Sequence, residues 1–222
     1  MDKIPFFTPS RRFLLKTMAL SIAASAIPSG LQQALAAASG TGKSLVVYFS
    51  WPETLDPNNM TEEEANSTVV INGQVLGNTQ YVAMVIAEAT GADLFRIEPV
   101  NPWPTDHKPL IAQAKNEQMR DFRPAIAKPL TNLADYHTIF LGYPNWWADM
   151  PMILYTFLES YDFSGKRIVP FSTHGGSGFS GTIGTIADLQ PKAEVVRNGY
   201  TVSRDVVAEA APKINAWVKE TV

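Results

Sequence analysis

Cysteine is absent from all 222 residues, which excludes a disulfide, a thiolate nucleophile and a thiolate metal site while leaving the redox compartment open. Histidine is scarce. His107, His137 and His174 are scattered too widely to make a metal site, and neither His107 nor His137 has a partner visible in the sequence. No G-x-x-x-x-G-K-[ST] string occurs, which argues against a P-loop nucleotidase. Internal repeats are missing too, and the one low-complexity tract is the alanine-rich start. What remains is enough chain for one α/β domain with a full core and too little for two.

Residues 1 to 36 stand apart from the fold. Ser10, Arg11, Arg12, Phe13, Leu14, Leu15 and Lys16 form a twin-arginine pattern, an apolar stretch runs from Met18 to Ile27, and Ala34-Leu35-Ala36 offers an A-x-A cleavage site. The segment resembles a twin-arginine export signal and predicts a periplasmic protein whose domain spans residues 37–222. An uncleaved anchor fits less well, because the apolar part is far short of the ~20 residues of a spanning helix; no stable membrane insertion is expected. Without these residues the chain keeps 14 basic and 20 acidic side chains, a net charge of −6. An acidic surface argues against nucleic acid and anionic membrane as partners. The twin-arginine route carries folded proteins, often with cofactor loaded, so the signal itself hints at one.

The chain is organised around Thr138 to Pro151, TIFLGYPNWWADMP. Its continuous apolar run suits a parallel strand covered on both faces, and the two tryptophans follow in the loop at the strand's carboxyl end, where ligands bind in open parallel sheets. Before it, Leu45 to Phe49 reads as the first buried strand, and the next clear helix waits until Asn78, expected as its N-cap. The gap from Glu53 to Leu76 reads as an insertion carrying a hairpin lip around Asn72-Gly73. A strand at Leu94 to Ile97 follows, near the sheet edge, then a proline-rich loop from Pro99 to Pro109 and a polar helix from about Leu110 to Arg120. After the anchor come a buried helix, a strand from Arg167 to Thr173, a glycine-rich loop opening a helix at Thr182 to Leu189, a short strand at Glu194 to Val196, and a last helix that Pro212 kinks or splits. Strict alternation predicts a parallel sheet with right-handed crossovers, and five strands fit the doubly wound order 2-1-3-4-5.

Three loops then meet at one edge. Ser50 with Asn78-Thr79 offers hydroxyls and the N–H groups of a helix start, which accept an anion without a cation; no lysine or arginine is near in sequence, so a monophosphate suits it. Taken alone, Asn78-Thr79 is also a plain helix cap. The second loop holds Trp146 and Trp147, of which at least one is expected to face the cleft. The third, Thr173-His174-Gly175-Gly176-Ser177-Gly178, brings backbone close to something. His174 is equally a hydrogen-bond donor to substrate and a packed loop residue. Gly176, Gly178 and Gly181 match G-x-G-x-x-G, but Val196 stands where the ribose-binding acid belongs, and Thr182 breaks the G-x-S-x-G of a nucleophile elbow.

YFS after the first strand, GNT opening the first long helix, GYPNWW after the third strand and THGGSG after the fourth resemble the flavodoxin family over about residues 44 to 200. The resemblance implies a flavodoxin-like three-layer sandwich and a non-covalent FMN. By motif, Ser50, Asn78 and Thr79 would take the phosphate, with Trp51 in the same loop. Pro144, Asn145, Trp146 and Trp147 would cover the isoalloxazine, and Thr173, His174, Gly175, Gly176, Ser177 and Gly178 would border it. Two departures stand out. Trp51-Pro52 and the insertion replace the compact T-x-T-G-x-T loop, and the loop at Asn145 lacks the family's glycine, leaving Asn145 to take left-handed backbone. The leading expectation is an exported FMN-binding redox protein passing electrons to a redox partner protein or a small-molecule acceptor. Its rivals are a nicotinamide-dependent quinone or aromatic-substrate reductase and a flavin-free binding module filled by the insertion.

Overall fold

A computed structural model describes residues 42–221, so the expected export signal and its cleavage site lie outside the described residues. Among them no helix is long and apolar enough to cross a membrane. Strand β1 (Lys43–Tyr48) opens the domain. An excursion follows through the one-turn helix α1 (Glu62–Ala65) and the hairpin strands β2 (Thr68–Ile71) and β3 (Gln74–Gly77), the last running directly into helix α2 (Asn78–Thr90). Strand β4 (Asp93–Arg96), helix α3 (His107–Met119), strand β5 (Tyr136–Pro144), helix α4 (Met152–Ser160), strand β6 (Arg167–His174) and helix α5 (Thr182–Leu189) come next. Two short strands, β7 (Glu194–Val195) and β8 (Tyr200–Ser203), precede the closing helix α6 (Ala211–Thr221).

The main sheet runs β4-β1-β5-β6, and β7 and β8 share the place beyond β6, with every pair parallel. With that shared place counted as one strand, this is the expected order, and β4 lies at the edge. The single short strand expected at residues 194–196 is one half of an interrupted strand. Opposite the interruption stands Pro170, which has no N–H to give a ladder, and Gly199 lies so close that a Cβ there would meet the Pro170 carbonyl oxygen at 2.4 Å.

Period-two alternation divides each apolar run between two cores. Leu45, Val47, Phe49, Ile139, Leu141 and Tyr143 pack against Ile153, Leu154 and Phe157 of α4 and Ile186 of α5. Val46, Tyr48, Phe140 and Phe171 meet Val82 and Ile86 of α2 and Ile214 and Trp217 of α6. The hairpin turns at Asn72 and Gly73, both left-handed at φ 51° and 78°, as a two-residue primed turn requires. Val69 and Leu76 are buried in the α2-side core, so the insertion is docked there.

Two expectations need correcting at element ends, and one is met. Gly77, not Asn78, is the N-cap of α2, and Asn78 is its first helical residue. Helix α3 starts three residues early, because Pro109 falls in its first turn, where a missing N–H is not used. The last helix is split: Arg204–Glu209 form a 3-10 turn, and Pro212 sits second in α6.

Candidate functional site

The three loops do converge, and hydrogen bonds lock them together. The hydroxyls of Thr79 and Thr173, both buried, lie 2.7 Å apart and join the start of α2 to the end of β6. The Asn145 amide N–H donates to the Thr173 carbonyl at 2.8 Å, tying the tryptophan loop to the same strand. Valine at position 79 keeps the shape but leaves the Thr173 hydroxyl with no partner among the described residues. We expect Thr79→Val to lower the free energy of unfolding by about 1–3 kcal/mol in a urea titration, and Thr79→Ser to lower it far less.

The tryptophan loop turns in a conformation that its residues do not favour. Trp147 and Ala148 have φ of 55° and 61°, so the left-handed positions fall on them and not on Asn145, contrary to expectation. Each such residue costs about 1–2 kcal/mol, and the surroundings supply the restraint. Trp146 and Asp149 exchange backbone hydrogen bonds of 2.8 and 3.1 Å. Trp147 donates from its indole N–H to the Ile111 carbonyl at 3.1 Å, and Gln118 donates to the Trp147 carbonyl at 3.2 Å. Asn145 is occupied in support, donating from Nδ2 to the Gly178 carbonyl and to Ser180 Oγ, each at 2.9 Å.

These loops border a cleft of about 210 Å³, open to solvent on one side. Ser50, Trp51, Asn78, Thr79, Pro144, Asn145, Trp146, Trp147, Thr173, His174 and Gly175 line it as expected. Gly176, Ser177 and Gly178 do not; their turn backs the wall, and the Gly178 carbonyl holds Asn145. Trp146 is part of an aromatic cluster beneath the cleft, edge-on to Phe49 at 5.6 Å and Trp103 at 6.0 Å. Trp103 also touches Trp51, and its indole N–H reaches both carboxylate oxygens of buried Glu117, at 3.0 and 3.1 Å. Trp147 is half exposed on the outer flank beneath Lys115.

Two walls lie outside the three loops. One is the face of α3 formed by His107, Leu110, Ile111 and Ala114, whose i, i+3, i+4, i+7 spacing was readable in the sequence. The other is the insertion, which brings Glu53, Asn66 and Ser67 to the start of α2. The Ser67 carbonyl accepts from the Asn78 backbone N–H at 3.1 Å, and the Asn66 carbonyl from Asn78 Nδ2 at 2.9 Å. Asn78 therefore has its backbone N–H and one of its two side-chain N–H groups held by the insertion. Its Oδ1, fixed by that bond, is a buried acceptor without a partner among the described residues. The N–H groups still free of helix bonds in this turn are those of Thr79 and Gln80. The cleft also holds a cation after all, since Arg204 lines it beside Gly175.

Two imidazoles face the cleft in opposite states. His174 Nδ1 accepts from the Gly176 N–H at 2.8 Å, so its Nε2 carries the hydrogen; burial, partly opposed by Asp205, holds its pKa below the usual histidine value. His107 Nδ1 lies 2.9 Å from Glu53 Oε2. Glu53 is 5% exposed, and burial pushes its carboxyl above the usual carboxylate range against the pull of His107 and Ser67. A raised folded-state pKa means that Glu53 contributes stability fully below its unfolded value, and that this contribution is lost as pH rises through the folded value. Glu53→Gln removes the term. In urea titrations from about pH 4 upward, wild type should lose stability relative to the variant as pH rises; a relative gain would contradict the assignment. Among the described residues, no three His, Asp or Glu side chains gather to hold a metal ion.

The sequence matches the model of the family described as flavodoxin over residues 68–221. The chain belongs to the flavodoxin family. No curated protein matches it. Two crystal structures of proteins provisionally described as flavoproteins are similar. One, from Bacteroides eggerthii, has 26% identity and a TM-score of 0.60, covering 81% of this chain and 97% of that one. The other, from Bacteroides uniformis, has 28% identity and a TM-score of 0.57 over 80% and 98%. A flavoprotein from Lactobacillus acidophilus, solved in complex with FMN, shares the fold at 15% identity and a TM-score of 0.54, over 78% of this chain and 97% of that one. This member of the flavodoxin family has a parallel sheet in the expected order, with a hairpin excursion between β1 and α2.

Proposed function

We propose that the cleft binds FMN non-covalently and that the protein is an exported redox flavoprotein. The carrying observation is that the start of α2, with the Thr79 and Gln80 N–H groups free of helix bonds, opens on the same cleft as Trp51 and Trp146. Ser50, Asn78 and Thr79 would hold the ribityl phosphate end, with the free N–H groups of the α2 start favouring its charge. Trp51, Pro144, Asn145 and Trp146 would cover the ring, and Thr173, His174 and Gly175 would border it. When bound, FMN supplies one- and two-electron transfer. The protein's part is to exclude water and set the potential: flat aromatic cover favours a neutral ring, and a net negative chain disfavours a charged one.

The test is titration of apoprotein with FMN, followed by absorbance during photoreduction without air. Uptake of one FMN per chain is expected. A stable one-electron stage would indicate a carrier delivering to a redox partner, and direct two-electron reduction would indicate a reductase of small acceptors. Failure to take up FMN, with circular dichroism unchanged, would overturn the reading in favour of a flavin-free module. The export half rests on Arg11 and Arg12. Arg11→Lys with Arg12→Lys should leave the protein as a longer cytoplasmic form, while wild type is recovered from the periplasm starting at Ala37.

A further inference from the structure

Glu117, near the end of α3, is 8% exposed, and no Lys or Arg forms an ion pair with it among the described residues. Trp103 directs its indole N–H at both carboxylate oxygens, at 3.0 and 3.1 Å, and Gln113 donates from Nε2 to Oε1 at 2.9 Å. Both oxygens accept, which is the behaviour of an ionised carboxylate. The other tryptophans are placed differently. Trp51, Trp147 and Trp217 give their indole hydrogens to the backbone carbonyls of Pro104, Ile111 and Asn198. A peptide carbonyl is no base for an indole proton, whereas a carboxylate is. Of the five tryptophans, Trp103 is the one whose indole hydrogen lies on a base among the described residues.

Such a partner changes the chemistry of an indole when the ring loses an electron, because the oxidised ring is a cation and its N–H a strong acid. A carboxylate 3.0 Å away, with the indole only 3% exposed, stabilises that positive charge and stands ready to take the proton. Trp103 is also within reach of the cleft. Its ring centroid lies 6.0 Å from that of Trp146, 5.7 Å from Trp51 and 5.3 Å from Phe49.

We propose that Trp103 and Glu117 form a second redox site, in which the indole gives one electron to an oxidant in the cleft and its proton to Glu117. The Nε1–H bond breaks, an O–H bond forms on the carboxylate, the oxidant is reduced by one electron, and a neutral indole radical remains. Return of the electron reverses each change. The proposal rests on the flavin reading only for its natural oxidant, light-excited FMN; the chemistry of the pair is the same for any one-electron oxidant able to oxidise indole.

The experiment is flash photolysis of the protein stripped of flavin, its fold checked by circular dichroism, with tris(bipyridine)ruthenium(III) generated by the flash as oxidant. Transient absorbance separates cationic from neutral indole radical, and time-resolved infrared absorbance reads the C=O stretch of a newly protonated carboxyl. Wild type should give the neutral radical with the carboxyl band rising in step. Glu117→Gln, which keeps the shape and an acceptor, should lose the band and delay the neutral radical about 100-fold or more, the usual worth of a positioned base. Trp103→Phe should lose the band while the other four tryptophans still give radical. No carboxyl band in wild type, a band that survives Trp103→Phe, or an undelayed neutral radical in Glu117→Gln would overturn the site, and the wild-type reading stands even where a variant fails to fold. In FMN-loaded protein, light without ruthenium should raise the same band; loaded protein that shows it only with ruthenium would overturn the link to the cleft. Protein that takes up no FMN sinks the flavin reading alone, because the ruthenium measurement needs none.

Discussion

Alanine in place of Trp146 should lower FMN affinity by about 10- to 100-fold and lower stability as well. The two effects come from opposite faces of one indole. Its cleft face is the flat surface against which the flavin ring would lie on the proposed reading, and stacking of a planar heteroaromatic on an aromatic side chain is worth about 1–3 kcal/mol by alanine substitution. Its other face packs edge-on against Phe49 and Trp103. A fully buried tryptophan costs about 3–5 kcal/mol to truncate, and this half-buried one should cost less. Trp146→Phe keeps a stacking face and should recover most of the affinity. Trp147→Ala is the comparison that decides: that indole is 48% exposed, lies under Lys115 and sits outside the aromatic cluster. Fluorescence titration of FMN with the three variants should rank the losses as Trp146→Ala first, Trp147→Ala second and Trp146→Phe last. Equal losses at the two tryptophans would mean that the ring lies elsewhere.

The strands and the loops that bind were legible because each is a local pattern. Thr138 to Leu141 can only be a covered strand, and a covered parallel strand puts its next loop at the ligand edge. The hairpin was legible for the same reason, since Asn72-Gly73 carries the backbone preference that its turn needs. What escaped depended on contacts distant in sequence. Glu53 and His107 are 54 positions apart and meet only once the insertion has docked. Arg204 reaches the cleft at the end of β8, a strand hidden by the interruption at Pro170 and Gly199. In the tryptophan loop, propensity pointed to Asn145 for the left-handed position. The side-chain bonds of Asn145, Trp147 and Gln118 outweigh that preference and move the turn two residues on. Proline misled at α3, because Pro109 reads as loop unless it is recognised as a first-turn residue.

The insertion alters what the family resemblance implied for Asn78. By motif it was a phosphate donor; in the fold its backbone N–H and one side-chain N–H are taken by Ser67 and Asn66, and its Oδ1 is buried without a partner among the described residues. On the proposed reading, Thr79 would serve the phosphate end, and Arg204, a cation from the far end of the chain, lines the cleft beside Gly175. Arg204 and Gly175 lie close, and a Cβ at Gly175 would approach the guanidinium carbon to 3.1 Å.

The largest loss of stability is expected from a single methyl group at Gly142. This residue pairs with Phe171 across β5 and β6 and with Tyr48 across β5 and β1, at the centre of the sheet. A Cβ there would lie 2.0, 2.2 and 2.7 Å from three atoms of the Phe171 ring, and that ring is fully buried. Contact at that range is not relieved by a small shift. Either the ring leaves its rotamer or the strands part, and overpacking of this kind costs about 1–3 kcal/mol, occasionally more. With the ring fully buried and the overlap this deep, Gly142→Ala should lie at or above about 3 kcal/mol. The strands that part are those feeding Tyr143 to Trp146, so FMN affinity should fall with stability. A second change separates the clash from any general intolerance of the strand. Phe171→Leu is destabilising alone because it opens a cavity, but combined with Gly142→Ala it should cost less than the sum, with a coupling of about 1–3 kcal/mol. Strict additivity of the two in urea titrations would show that the methyl group harms the protein by some route other than the Phe171 ring.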